Sequence, residues 1–179
     1  MKEYEFTLKF SLQDTSSNPE NYIDSLNACG CDDALVGIGR TGRIALDFTR
    51  ESMSAWKAIS SALADVKKAI PDAKLIEATP DFVGLTDVAE LLGFTRQNMR
   101  KLMVTNGAEF PMPVHEGKPA LWHLATVLLW LKERKTYKNN IQETLVEIAK
   151  ANMQINLAKE IRSMGLESTM DIDGLIAKA

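Results

Sequence analysis

Cysteine and histidine are scarce in this chain of 179 residues, with two of each. Cys29 and Cys31 flank Gly30, while His115 and His123 stand far away in sequence. A structural zinc site normally takes four such ligands, so the cysteines read as two reduced thiols at a helix end. No metal or cofactor is expected. A run of about 18 apolar residues is also missing, so no membrane span is predicted. The N-terminus, MKEYEFTLKF, alternates apolar and charged residues and is unlike a signal-peptide core. A cytoplasmic protein is expected. Paired carboxylates, a nucleophile beside a base and metal-ligand spacing do not emerge, which makes an enzyme the least expected class.

Strong charge of either sign is lacking as well. The formal net charge is -3, which by itself speaks against a nucleic-acid partner, but its distribution is uneven. Residues 1–83 carry 9 basic and 13 acidic side chains, residues 84–138 carry 8 and 5, and residues 139–179 carry 4 and 6. Positive charge is confined to the middle third, as expected of a DNA-binding module between acidic segments.

Hydrophobic periodicity supplies the elements. Tyr4, Phe6, Leu8, Phe10 and Leu12 alternate with polar residues, the mark of a half-buried strand. Asn18 followed by Pro19 opens a helix that stops at Gly30. Ala34 to Ile38 and Arg43 to Phe48 form strands around a Gly39-to-Gly42 turn. Gly37, Gly39 and Gly42 have the wrong spacing for a nucleotide loop, and a hairpin follows where a helix would be needed. Ser52 to Ile70 reads as a helix burying Trp56, Ile59, Leu63, Val66 and Ile70, and Lys74 to Ala78 as a last strand. The order predicts a ferredoxin-like βαββαβ domain over residues 1–79 within an α+β protein. Thr79-Pro80-Asp81 reads as a linker.

The central segment, 84–135, changes to a helical pattern. Thr86 is placed to cap a helix with Val88, Leu91 and Leu92 inward. Gly93 supplies a left-handed turn, Phe94 plugs the space between helices, and Thr95 caps a second helix with Met99, Leu102 and Met103 inward. Two helices joined in this way make a helix-turn-helix. The second helix, 95–104, shows Arg96, Gln97, Asn98, Arg100 and Lys101 outward, residue types suited to base edges and phosphates in a major groove. A helical pair with a solvated polar face is the alternative. Asn106-Gly107 ends the helix, Phe110-Pro-Met-Pro-Val114 is held extended by its prolines, and His115 to Pro119 turns into a short strand, Ala120 to Trp122. Leu124 to Arg134 is a closing helix, in which the apolar Leu129 is free to face another segment or a second subunit.

With these pieces in place the segment resembles the AlpA and excisionase-type winged helix-turn-helix regulators, relatives of the MerR class. The match runs through Leu85-Thr86, Val88-Ala89, Leu91, Leu92, Gly93, Thr95, Phe110-Pro111, Pro113-Val114, Gly117-Lys118, Trp122, Val127, Trp130-Leu131 and Arg134. The resemblance implies DNA binding by the second helix and a backbone contact from the wing, through His115 and Lys118. Wings of that family carry several basic residues, whereas Glu116 dilutes this one, so specificity is expected to rest on the second helix. His115 and His123 also read as ordinary polar residues on the wing and near a helix start.

The C-terminal third offers a long helix over residues 139–164. Ile141, Leu145, Ile148, Asn152 and Ile155 follow heptad spacing, with asparagine at one inner position. Two readings stay open, a coiled-coil homodimer seam and an amphipathic helix packed on its own chain. Residues 165–179 form a short tail. The expected function is a sequence-specific transcriptional regulator acting as a repressor. The alternatives are an antitoxin that represses its own operon and binds a toxin protein, and an excisionase-like protein that bends DNA.

Overall fold

The strict alternation of the first strand sets the architecture. A computed structural model describes residues 1–37, 39–134 and 141–165. In it β1 (Lys2–Ser11) turns Tyr4, Phe6, Leu8 and Phe10 inward and Glu3, Glu5 and Lys9 to solvent. β3 (Arg43–Ser52) buries Ile44, Leu46 and Phe48 in the same way. The two strands pair antiparallel with Phe6 opposite Phe48, their rings stacked 5.2 Å apart. β2 (Ala34–Gly37) joins the far side of β3, and β4 (Lys74–Thr79) the far side of β1. The result is a four-stranded antiparallel sheet in the order β2-β3-β1-β4. A 3₁₀ turn (Pro19–Tyr22) capped by Asn18 leads into α1 (Ile23–Ala28), and α2 (Ala55–Ala69) follows β3. Leu26 of α1 and the inner side of α2 cover one face of the sheet. The chain is a mixed α+β protein. The final residue of the predicted strand at Ala34 to Ile38 lies outside the described residues.

Two expectations for α2 are corrected. The helix begins at Ala55, not Ser52, because β3 continues to Ser52 and Ser54 caps the helix by accepting the Lys57 N–H. Its inner face is Ala55, Ala58, Ile59, Ala62 and Val66, while Trp56 is 50% exposed. Small alanines let the helix lie close to the sheet, and the large indole at its first turn is left at the edge.

The second lobe has its own apolar cluster. It comprises β5 (Phe82–Val83), α3 (Leu85–Leu91), α4 (Arg96–Asn106), β6 (Trp122–His123) and α5 (Leu124–Glu133). Val88, Leu92, Met99, Leu124, Val127, Leu128 and Leu131 meet at its centre. β5 pairs with β6, so the chain entering this lobe is tied to the strand that precedes α5.

α6 (Glu143–Ser163) joins both lobes. Ile148, Ala151 and Ile155 enter the core beneath the sheet, whereas Ile141, Val146 and Ala149 enter the second cluster. This corrects the dimer-seam reading. Ile141, Ile148, Asn152 and Ile155 are buried, and Leu145 is partly buried, against the chain's own lobes. A helix lodged between two bodies needs an apolar surface on more than one side, and this one imitates a seam. The start of that predicted helix at 139–140 and the tail beyond Gly165 lie outside the described residues. Among the described residues no helix is long and apolar enough to cross a membrane.

The segment 79–81 is more than a linker. Asp81 is buried, and its carboxylate accepts from Asn156 Nδ2 at 2.8 Å and contacts His123 Nδ1 at 2.7 Å. Its carbonyl accepts the Leu124 N–H. Asn156 also brackets Ala78, accepting its N–H at 2.9 Å and donating to its carbonyl at 2.8 Å. Asn152 donates to the Pro80 carbonyl at 3.2 Å. Two asparagines one helical turn apart thus hold the backbone between the lobes. Asn152 Oδ1 is buried with no partner among the described residues, while the matched groups around it fix a geometry that apolar contacts alone would leave adjustable.

Candidate nucleic-acid interface

α3 and α4 are joined at Gly93, whose φ of +66° lies in the left-handed region that a side chain disfavours. Its N–H donates to Glu90, and the Phe94 N–H reaches Ala89 at 2.7 Å. Thr95 caps α4, its hydroxyl accepting the Asn98 N–H at 3.1 Å. The cap of α3 differs from expectation. Gly84 holds the N-cap position and its N–H donates to the Asp87 carboxylate at 2.6 Å, so Thr86 is exposed and free of that duty. Leu91, expected inward, is 43% exposed, and Ala89 takes its place beside Val88 and Leu92.

On α4, Met99 is buried and Leu102 and Met103 are partly buried against the second cluster. Arg96, Gln97, Arg100 and Lys101 are exposed. Asn98 is half-buried, since it sits on the capped turn, and is less available than expected. Among the described residues Arg96, Arg100 and Lys101 form no ion pair.

The hairpin after α4 is held by two indoles. Trp122 Nε1–H donates to the Pro111 carbonyl at 2.9 Å, and Trp130 Nε1–H donates to the Glu109 carbonyl. Phe110 lies edge-on to both rings, with centroids 6.1 Å from Trp122 and 4.9 Å from Trp130. Arg134 stacks over the Trp130 ring at 3.5 Å. The stem closes through the bridge His115–Leu121, with Val114 N–H donating to Leu121 at 2.8 Å. The second strand starts two residues later than predicted, as β6, because Trp122 and His123 pair with β5. At the tip His115 folds over Gly117, its Nε2 lying 2.2 Å from where a Cβ would stand. His115 and Lys118 are both exposed.

A groove of about 740 Å³ lies between α4 and this hairpin. Arg96 and Arg100 line one wall, Lys118 and Glu116 the other, with Phe110 and Trp122 among its lining residues. The structure therefore brings Arg96, Arg100 and Lys118 to one concavity. Gln97 and Lys101 are exposed on the same helix but do not line it.

Sequence reasoning missed the Asp81–His123–Asn156 cluster, taking His123 for an ordinary polar residue. Its ring also lies tilted against that of Phe82, with centroids 4.9 Å apart. One signal was present, an aspartate directly after Thr79-Pro80 and immediately before an apolar strand. The thiols remain free, and burial, then the nearby Asp65 charge, push Cys31 up to about 11. No protein-family model matches the chain, and comparison with curated proteins and with solved structures gives no match.

Proposed function

We propose that α3, α4 and the hairpin form a winged helix-turn-helix that binds double-stranded DNA, and that the protein is a sequence-specific transcriptional regulator. The first 79 residues are then a ferredoxin-like domain carrying it. The observation that carries this reading is the pair Arg96 and Arg100, one turn apart on α4, both exposed and both lining a groove whose opposite wall holds Lys118. Arginine forms paired hydrogen bonds to guanine in the major groove, and Gln97 suits adenine. Lys101 and Lys118 suit phosphates, which add affinity and salt dependence without sequence preference. Trp122 and Trp130 hold the hairpin stem against the lobe, which suits it to serve as the wing.

Selection from a random duplex pool followed by gel-shift titration tests this. A defined consensus bound by the full chain, and lost when Arg96 and Arg100 are changed to alanine, is expected. Enrichment of no sequence, or equal binding by the variant, contradicts the reading.

A further inference from the structure

One face of the four-stranded sheet is covered by helices, and among the described residues nothing covers the other. The register places the outward residues of the open face in rows. Glu3 stands directly opposite Glu51, Glu5 opposite Thr49, Thr7 opposite Asp47 and Ser11 opposite Arg43. Lys74 adjoins Ser11 from β4, and Leu35 adjoins Asp47 from β2. Three carboxylates, Glu3, Glu5 and Glu51, therefore gather at one end of the face, and Arg43 and Lys74 at the other, beside the ion pair that Lys9 makes with Glu77. At about 3.4 Å per residue the two ends lie ~27 Å apart. Like charges placed directly across a strand pair are destabilising. Among the described residues none of these three carboxylates has a cationic partner. Leu35, between the two ends, is 77% exposed on an edge strand that is paired on one side only.

We propose that this face binds a second copy of the chain, related by a two-fold axis through its middle. Rotating the face by half a turn sets the carboxylate end of each copy over the Arg43–Lys74 end of the other, so one operation satisfies both ends. A nucleic acid is repelled by the carboxylate end, and a uniformly basic partner by the cationic end. The charge pattern is thus self-complementary, with Leu35 supplying apolar contact near the centre. With Ile141, Ile148, Asn152 and Ile155 packed on the chain's own lobes, this face is a separate surface that would bring two α4 helices into one particle.

Light scattering on the full chain tests the proposal without DNA, so its failure and the failure of the DNA reading are separate. The wild type is expected at twice the chain mass in low salt, falling towards the single-chain mass as salt screens the pairing. Glu3→Lys/Glu51→Lys should be monomeric, and so should Arg43→Glu/Lys74→Glu. An equimolar mixture of the two variants should regain the double mass as a heterodimer. Circular dichroism confirms that each variant is folded, and less drastic Glu3→Gln/Glu51→Gln and Arg43→Gln/Lys74→Gln variants replace any that is not. A monomeric wild type in low salt overturns the proposal. So does a dimer that survives these changes, or one lost only on Ile161→Glu in the exposed part of α6.

Discussion

Arg50 occupies a position that the alternation of β3 turns inward, and it is buried as a cation. Burial opposes its charge, but hydrogen bonds to Asp33 and Asp65 outweigh that, and its pKa is raised. Nε and Nη2 reach Asp33 at 2.6 and 2.9 Å, Nη1 reaches Asp65 at 2.8 Å, and Nη2 reaches the Gly30 carbonyl at 2.7 Å. Asp33 and Asp65 keep 29% and 30% of their side chains exposed, so removing the cation costs less than in a fully buried pair, about 1–3 kcal/mol. Urea unfolding of Arg50→Ala should show a loss of that order. Glu147 is a second case. Lys2, then Tyr4, hydrogen-bond to its carboxylate, each at 2.6 Å, and hold it below the ordinary carboxylate range. A depressed pKa contributes stability above the unfolded value, and that contribution is lost as pH falls through the folded one. The wild type should therefore exceed Glu147→Gln in stability most clearly above pH ~5, with the gap closing below pH ~4. Cys31 gives a chemical prediction. With its thiol raised to about 11 and its side chain buried, it should resist alkylation near pH 8 in the folded protein, while the half-buried Cys29 reacts. Mass spectrometry after iodoacetamide treatment distinguishes one modified thiol from two.

At the scale of elements, the hairpin is the part whose stiffness matters most to the proposed interface. Trp122→Phe keeps a ring against Phe110 but loses the bond to the Pro111 carbonyl, at a cost of about 1 kcal/mol. Hydrogen exchange should rise at Val114 and Leu121, whose amides close the stem. Local patterns made much of this legible in the sequence. The alternation in β1 and β3, the glycine turn before Thr95 and the prolines around Met112 each act within a few residues of themselves. Most of what escaped depended on partners distant in the chain. The inner face of α2 was misjudged at Trp56 because the close approach to the sheet selects alanines. The cap of α3 was assigned to Thr86 because Gly84 has no side chain to announce its role, and Asp87 supplies the acceptor. For α6, heptad spacing alone cannot separate a partner helix from two lobes of the same chain. The α4 side chains were legible as a set, but their convergence with Lys118 on one groove depends on the hairpin's course.

For the whole molecule, the junction decides whether the two lobes act together. Asn156 and Asn152 sit on α6, which belongs to both cores, and they hold residues 78–81 by hydrogen bonds to backbone and to Asp81. Asn156→Ala strands the buried Asp81 and Ala78 groups and should cost about 1–3 kcal/mol for each group left unmatched. In calorimetry the variant should show broadened or separated transitions where the wild type shows one. The central claim concerns α4 and its groove. Its most direct measurement is fluorescence anisotropy of a selected duplex with the wild type and Arg96→Ala/Arg100→Ala, over a range of salt. Each paired arginine contact to a base contributes about 1–3 kcal/mol, so the double variant should bind at least ~10-fold more weakly with an unchanged thermal midpoint. Each phosphate contact removed should lower the salt slope by about 0.9. Equal affinity and equal salt slope for the two proteins would contradict the assignment of α4 as the reading helix.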